Sequence, residues 1–202
     1  MRPLSVGVWV VLSVVAANGE AAPKQHAPSV LVLVLDRSGS MQGDKLAEAK
    51  AGALAAVDAL HPEDQVAMVA FDSESTVYVP LQRASERKRI ADEVARLQAG
   101  GGTSFRAGLQ GAFEILRDGK LAKLSHKHVV MLSDGESDDD GVPEVIAAMR
   151  DAKITISTVS LPGGDEILLG KIAKLGGGHL YSAKEPADVP KLFAMDIASA
   201  LP

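Results

Sequence analysis

The stretch VLVLVL, Val30 to Leu35, is unbroken by any polar residue, and it restricts the possible folds more than any other feature. A strand with one face in water alternates apolar with polar residues, so a continuous run belongs to a strand covered on both faces. Helical spacing follows, with Leu46, Ala49, Ala53, Leu54 and Val57 recurring on one side. Val66 to Phe71 and Thr76 to Leu81 read as two more strands, and the short polar turn Asp72 to Ser75 between them implies an antiparallel pair. Ser85 stands where it can cap a helix carrying Ile90, Val94 and Leu97, which Gly100 to Gly102 would end. Leu109, Ala112, Phe113 and Leu116 mark another helix. His128 to Leu132 reads as a strand, and Pro143 occupies the first position of a helix bearing Val145, Ile146 and Met149. A strand at 154–161, a helix at 167–175, a short strand at 179–182 and a helix at 188–200 complete the pattern. Strands alternating with helices through short loops predict an α/β domain with a mostly parallel sheet and helices on both faces.

Before this domain the text changes. Arg2 precedes an almost wholly apolar stretch, Leu4 to Ala17, with small residues around Ala21 and Ala22, the pattern of a secretory signal peptide. The reading is a leader over residues 1–22, a linker over 23–28 and one domain over 29–202. The apolar stretch is shorter than the roughly 18 residues that a spanning helix needs, which favours a cleaved leader over a membrane anchor. An exported chain, periplasmic or secreted, is therefore expected, with no membrane insertion after cleavage. The 202 residues contain no cysteine, so no disulfide supports the domain, and a core of this size needs none. A net charge of −5 and the absence of a basic cluster among aromatics argue against nucleic acid as a partner.

In such sheets ligands bind beyond the carboxyl ends of the strands, where the strand order reverses. Three loops at such positions carry hard oxygen donors. DRSGS, residues 36–40, follows the first strand; Thr103 follows the glycine triplet; Asp134 follows the strand ending at Leu132. Alternate residues Asp36, Ser38 and Ser40 can turn their oxygens to one side of a bent loop, with Gly39 relieving the backbone. The glycines would let Thr103 approach the same point. No His or Cys joins the set, which disfavours zinc and copper and favours Mg2+, Mn2+ or Ca2+. Two carboxylates would leave a divalent ion formally neutral, and Mg2+ takes six oxygen ligands while retaining water readily. A coordination position stays open, and an Asp or Glu carboxylate from a protein partner suits it.

DRSGS at 36–40, GGTSF at 101–105 and LSDGE at 132–136, together with the flanking SMQGDKLAEAK and QVAMVAF, make the chain resemble the von Willebrand factor type A domains of bacterial exported type that carry a metal-ion-dependent adhesion site (MIDAS). The likeness covers residues 28–200. It implies a Rossmann-like, doubly wound, six-stranded sheet ordered 3-2-1-4-5-6 with one antiparallel edge strand. It also implies that Ser38 and Ser40 are direct hydroxyl ligands and that Asp36 and Asp134 bind the ion directly or through water. It implies as well that Thr103 is the ligand that moves between direct and water-mediated contact, and Mg2+ is the expected ion.

The function expected from these residues is a metal-dependent binding module without turnover. A metal-dependent hydrolase acting on phosphate or acyl substrates would need a positioned base or an activated nucleophile, and DRSGS is not the G-x-S-x-G elbow. A scaffold with a purely structural metal is the third reading. Other polar features have plainer explanations: Glu136 to Asp140 as a solvated acidic loop, Gly176 to Gly178 as a helix stop, and Asp72 and Glu74 as turn residues. His61, His126, His128 and His179 are scattered along the chain, and a lone histidine is more often structural or exposed than catalytic.

Overall fold

The computed structural model describes residues 26–124, 126–137 and 140–201. The expected leader over residues 1–22 lies outside the described residues, as do Asp138 and Asp139 of the acidic loop. In chain order the elements are β1 (Ser29–Asp36), α1 (Asp44–Ala59), β2 (Gln65–Phe71), β3 (Ser75–Arg83), α2 (Arg87–Ala95) and α3 (Phe105–Leu116). There follow β4 (His126–Ser133), α4 (Val142–Asp151), β5 (Ile154–Ser160), α5 (Glu166–Gly176), β6 (Gly177–Ser182) and α6 (Val189–Ala200). The strands form one six-stranded sheet in the order β3-β2-β1-β4-β5-β6. All neighbours run parallel except β2 and β3, the pair joined by the short turn. None of the described helices is long and apolar enough to cross a membrane.

The unbroken apolar run of β1 has the expected cause. Leu31, Leu33 and Leu35 pack into one core with Leu46, Ala49 and Ala53 of α1, Ile90 of α2 and Phe193 of α6. Val30, Val32 and Val34 point the other way, against Leu109 of α3, Ile146 of α4 and Leu169 of α5. Every residue of β1 is buried, because successive side chains alternate between two covered faces.

Local details depart from the expected boundaries. Ser85 does not cap α2; the chain turns through a hydrogen bond from the Glu86 N–H to the Arg83 carbonyl, and Glu86 takes the capping position without a side-chain bond. The helix also stops at Ala95, well before the glycines. Its last turn tightens through bonds from the Arg96 N–H to Glu93 and the Leu97 N–H to Val94, and Leu97 enters the core at 1% exposure. Gly177, with φ of 75°, closes α5 in the left-handed conformation, as a helix stop should.

His128 is a structural histidine. Buried in β4, it lies 2.7 Å from Thr155 Oγ1 through Nδ1 and 2.8 Å from Asp196 Oδ2 through Nε2, and so fastens α6 to the sheet. Asp196 itself is fully buried.

Candidate metal centre

β1 lies between β2 and β4, so the chain winds outward in one direction from β1 and in the other from β4. The loops leaving the carboxyl ends of these two strands therefore diverge and open a crevice between them. The register pairs Leu35 with Leu132, which brings Asp36 level with Ser133. The Ser133 hydroxyl accordingly donates to Asp36 Oδ2.

Asp36 shapes its own loop. Its Oδ1 accepts the Ser38 N–H at 2.7 Å, which turns the chain out of the strand. A short turn, Gly39–Met41, follows, and Met41 anchors it in the core at 0% exposure. The loop is then joined to the glycine segment by two backbone bonds, Gly39 N–H to the Gly101 carbonyl at 3.1 Å and Gly100 N–H to the Arg37 carbonyl at 2.7 Å. Gly39 does not take a positive φ, contrary to the expectation that it relieves the backbone; its part is the N–H that reaches Gly101. Gly101 does, at φ 90°, a conformation that a side chain would strain.

The side chains converge from these loops. Ser38 Oγ lies 3.1 Å from Ser40 Oγ, and Ser40 Oγ donates to Asp134 Oδ1 at 2.8 Å. Thr103 arrives from the far side: a methyl placed on Gly135 would lie 3.2 Å from Thr103 Oγ1 and 3.8 Å from Asp36 Oδ2. All five expected site residues, Asp36, Ser38, Ser40, Thr103 and Asp134, thus gather at one edge of the sheet. Asp36, Asp134 and Ser38 are buried, whereas Ser40 is exposed, so the cluster faces solvent at Ser40.

Three features of the site are not evident from the sequence pattern. The Ser133 hydroxyl braces Asp36 and accepts the Gly135 N–H at 3.1 Å. The Lys45 ammonium, from the first turn of α1, donates to Asp134 Oδ2. Arg37 forms an ion pair with Asp72 and donates to the Gln98 carbonyl at 3.2 Å. Asp72 is therefore more than a solvated turn residue: its carbonyl also accepts the Ser104 N–H at 2.7 Å, next to Thr103. The Glu74 backbone N–H and the Arg37 guanidinium hold the Asp72 carboxyl below the usual range.

Burial pushes the Asp36 carboxyl above the usual carboxylate range, against the hydrogen bonds from Ser133 and Ser38, and the nearby Asp134 charge pushes it further up. A carboxyl with a raised folded-state pKa costs the metal-free protein stability when ionised, and that cost disappears as pH falls through its titration range. In EDTA, Asp36→Asn should therefore melt above the parent at neutral pH, with the gap closing toward the acidic end. Thermal melts of both proteins across pH check this, and a gap independent of pH would contradict it.

Two carboxylates and three hydroxyls, with no sulfur or imidazole among them, form a hard-oxygen set, and one ammonium has already been drawn to it. The residues fit a divalent ion of the Mg2+, Mn2+ or Ca2+ class.

Known proteins share this arrangement of strands and loops. The sequence profile of the von Willebrand factor type A domain matches residues 31–195. An uncharacterised protein of Synechocystis sp. is 32% identical over 175 residues, which span 84% of this chain and 41% of that protein. The chain thus corresponds to less than half the length of this relative. Among solved structures, a von Willebrand factor type A protein from Catenulispora acidiphila superposes with a TM-score of 0.78 at 26% identity, over 86% of this chain and 43% of that one. Proximal thread matrix protein 1 of the mussel byssus, solved with a zinc-occupied MIDAS motif, shares the fold with a TM-score of 0.68 at 18% identity, over 84% of this chain and 46% of that one.

Proposed function

Because the chain belongs to the von Willebrand factor type A domain family, we propose that it is a binding module that captures an Asp or Glu carboxylate of a protein partner through a divalent ion held by Asp36, Ser38, Ser40, Thr103 and Asp134. The observation that carries this reading is the convergence of two buried carboxylates and the hydroxyls of two serines on one solvent-facing point, with Thr103 beside them. A metal-occupied site in the mussel protein of the same fold supports it. The bound ion would supply a hard, positively charged centre for a carboxylate oxygen, and Mg2+ is the choice that the donor set favours. The N-terminal leader pattern supports an exported module.

Binding rather than turnover is favoured by the partners of the hydroxyls. Ser38 Oγ meets Ser40 Oγ, and Ser40 Oγ meets Asp134; neither has an imidazole in reach among the described residues. Thr103 takes no part in the side-chain hydrogen bonds that link the serines to Asp134, which leaves its hydroxyl available for the loaded site.

The test is affinity capture on the immobilised protein in Mg2+, followed by elution with EDTA. A retained protein should elute with EDTA and be displaced by a short acidic peptide. Capture that persists in EDTA would sink the proposal. Thr103→Ala should weaken capture of that protein more than it changes resting Mg2+ affinity, because Thr103 is the residue proposed to contact the ion directly only in the partner-bound arrangement. Equal capture by variant and parent would remove Thr103 from the site.

A further inference from the structure

We propose that Lys45 is the internal competitor of the divalent ion: its ammonium holds Asp134 in the metal-free protein and must leave that oxygen for the ion to load. The inference rests on the metal-binding reading above and adds the residue that sets the ion concentration at which the site fills.

Both oxygens of Asp134 are engaged, Oδ1 by the Ser40 hydroxyl and Oδ2 by Lys45. The Asp134 side chain is fully buried, so an ionised carboxylate there requires a counter-charge, and Lys45 provides it. The Lys45 side chain is 29% exposed. A long, flexible stem with its head near solvent can leave the carboxylate without unfolding anything. The position is also a poor one for a lysine on helical grounds alone. Lys45 lies in the first turn of α1, at the end of the helix where its dipole repels a cation.

A divalent ion and an ammonium at contact with the same carboxylate repel each other. Their occupancies are therefore linked with negative sign, and the linkage is reciprocal: removing the ammonium tightens the ion, and adding the ion frees the ammonium.

Lys45→Met keeps the stem and removes the charge. Calorimetry should show Mg2+ binding on the order of tenfold tighter than in the parent, about the value of one charged hydrogen bond. In EDTA the variant should melt below the parent, because Asp134 is left buried without a counter-charge. Lys45→Arg should stay near the parent in both measurements. A parent-only measurement is independent of how the variants fold: the rate at which an amine-reactive reagent modifies Lys45, followed by mass spectrometry, should rise several-fold on adding saturating Mg2+.

Unchanged or weaker Mg2+ binding in Lys45→Met, with the parent still binding, overturns the role of Lys45 alone. So does a labelling rate that Mg2+ leaves the same. A parent that binds no Mg2+ overturns the metal-site reading, and this inference with it.

Discussion

Asp36→Ala is expected to abolish Mg2+ binding while leaving the fold in place. Losing a residue that merely supports a metal ligand costs roughly 10–100-fold in affinity, so losing a member of the ligand set itself should cost on the order of a hundredfold or more. The fold should survive because β1 is held by backbone ladders to β2 and β4 that do not involve the carboxylate. Two groups do lose their partner, the Ser38 N–H and the Ser133 hydroxyl. Leaving such groups unsatisfied costs about 1–3 kcal/mol each when they stay dry. Against that, the substitution removes a buried carboxylate that burial disfavours in its charged form. The net change in the metal-free protein should be small, and circular dichroism should show the parent's secondary structure. Undiminished Mg2+ binding by calorimetry would show that the site is assigned wrongly.

Gly108→Val is expected to reduce both stability and Mg2+ affinity. Gly108 sits where α3 presses on the sheet, and a Cβ there would lie 2.8 Å from Phe71 Cδ1 and 2.9 Å from Val34 Cγ1. Both neighbours are fully buried, so neither can move aside without disturbing the core. Overpacking of this kind costs about 3 kcal/mol, which for a domain of this size lowers the melting temperature by roughly 6–12 °C. The helix also carries its capping residue, Ser104, and the adjacent Thr103 at its amino end. Displacing α3 outward should therefore pull Thr103 away from Asp36 and weaken the ion as well. Helix propensity argues the opposite for a substitution at glycine, by about 1 kcal/mol for Ala, so the melting curve decides which effect dominates. A melting temperature at or above the parent's would mean that the contact at Gly108 is not tight.

Much of the fold was legible because its signals are local. The unbroken apolar run of β1 reports two covered faces, and the short turn between β2 and β3 can only join antiparallel neighbours. That Asp36, Ser38, Ser40, Thr103 and Asp134 gather has a related reason, since each lies at or just beyond a strand end or just before a helix start. Where local reading went wrong, a neighbour distant in sequence or a backbone bond had intervened. α2 stops at Ala95, where its last turn tightens and Leu97 enters the core, ahead of the glycines. Asp72 looked like a solvated turn residue because its partner, Arg37, lies on the other side of β2 in sequence. His128 is structural, as a lone histidine usually is, but its partners Thr155 and Asp196 were not legible because they meet it only after β5 and α6 have packed.

The alternation of strands and helices, the two-faced burial of the central strand and the oxygen-only chemistry of the clustered side chains all follow from the sequence, because spacing and side-chain chemistry are properties of the chain itself. How the cluster is held and balanced is set by packing between distant segments. That Ser133 braces Asp36 depends on the register between β1 and β4. That Lys45 neutralises Asp134 depends on where α1 begins relative to the end of β4, across 89 residues of sequence. Electrostatic balance is a matter of distances through space, and the chain acquires those distances only by folding.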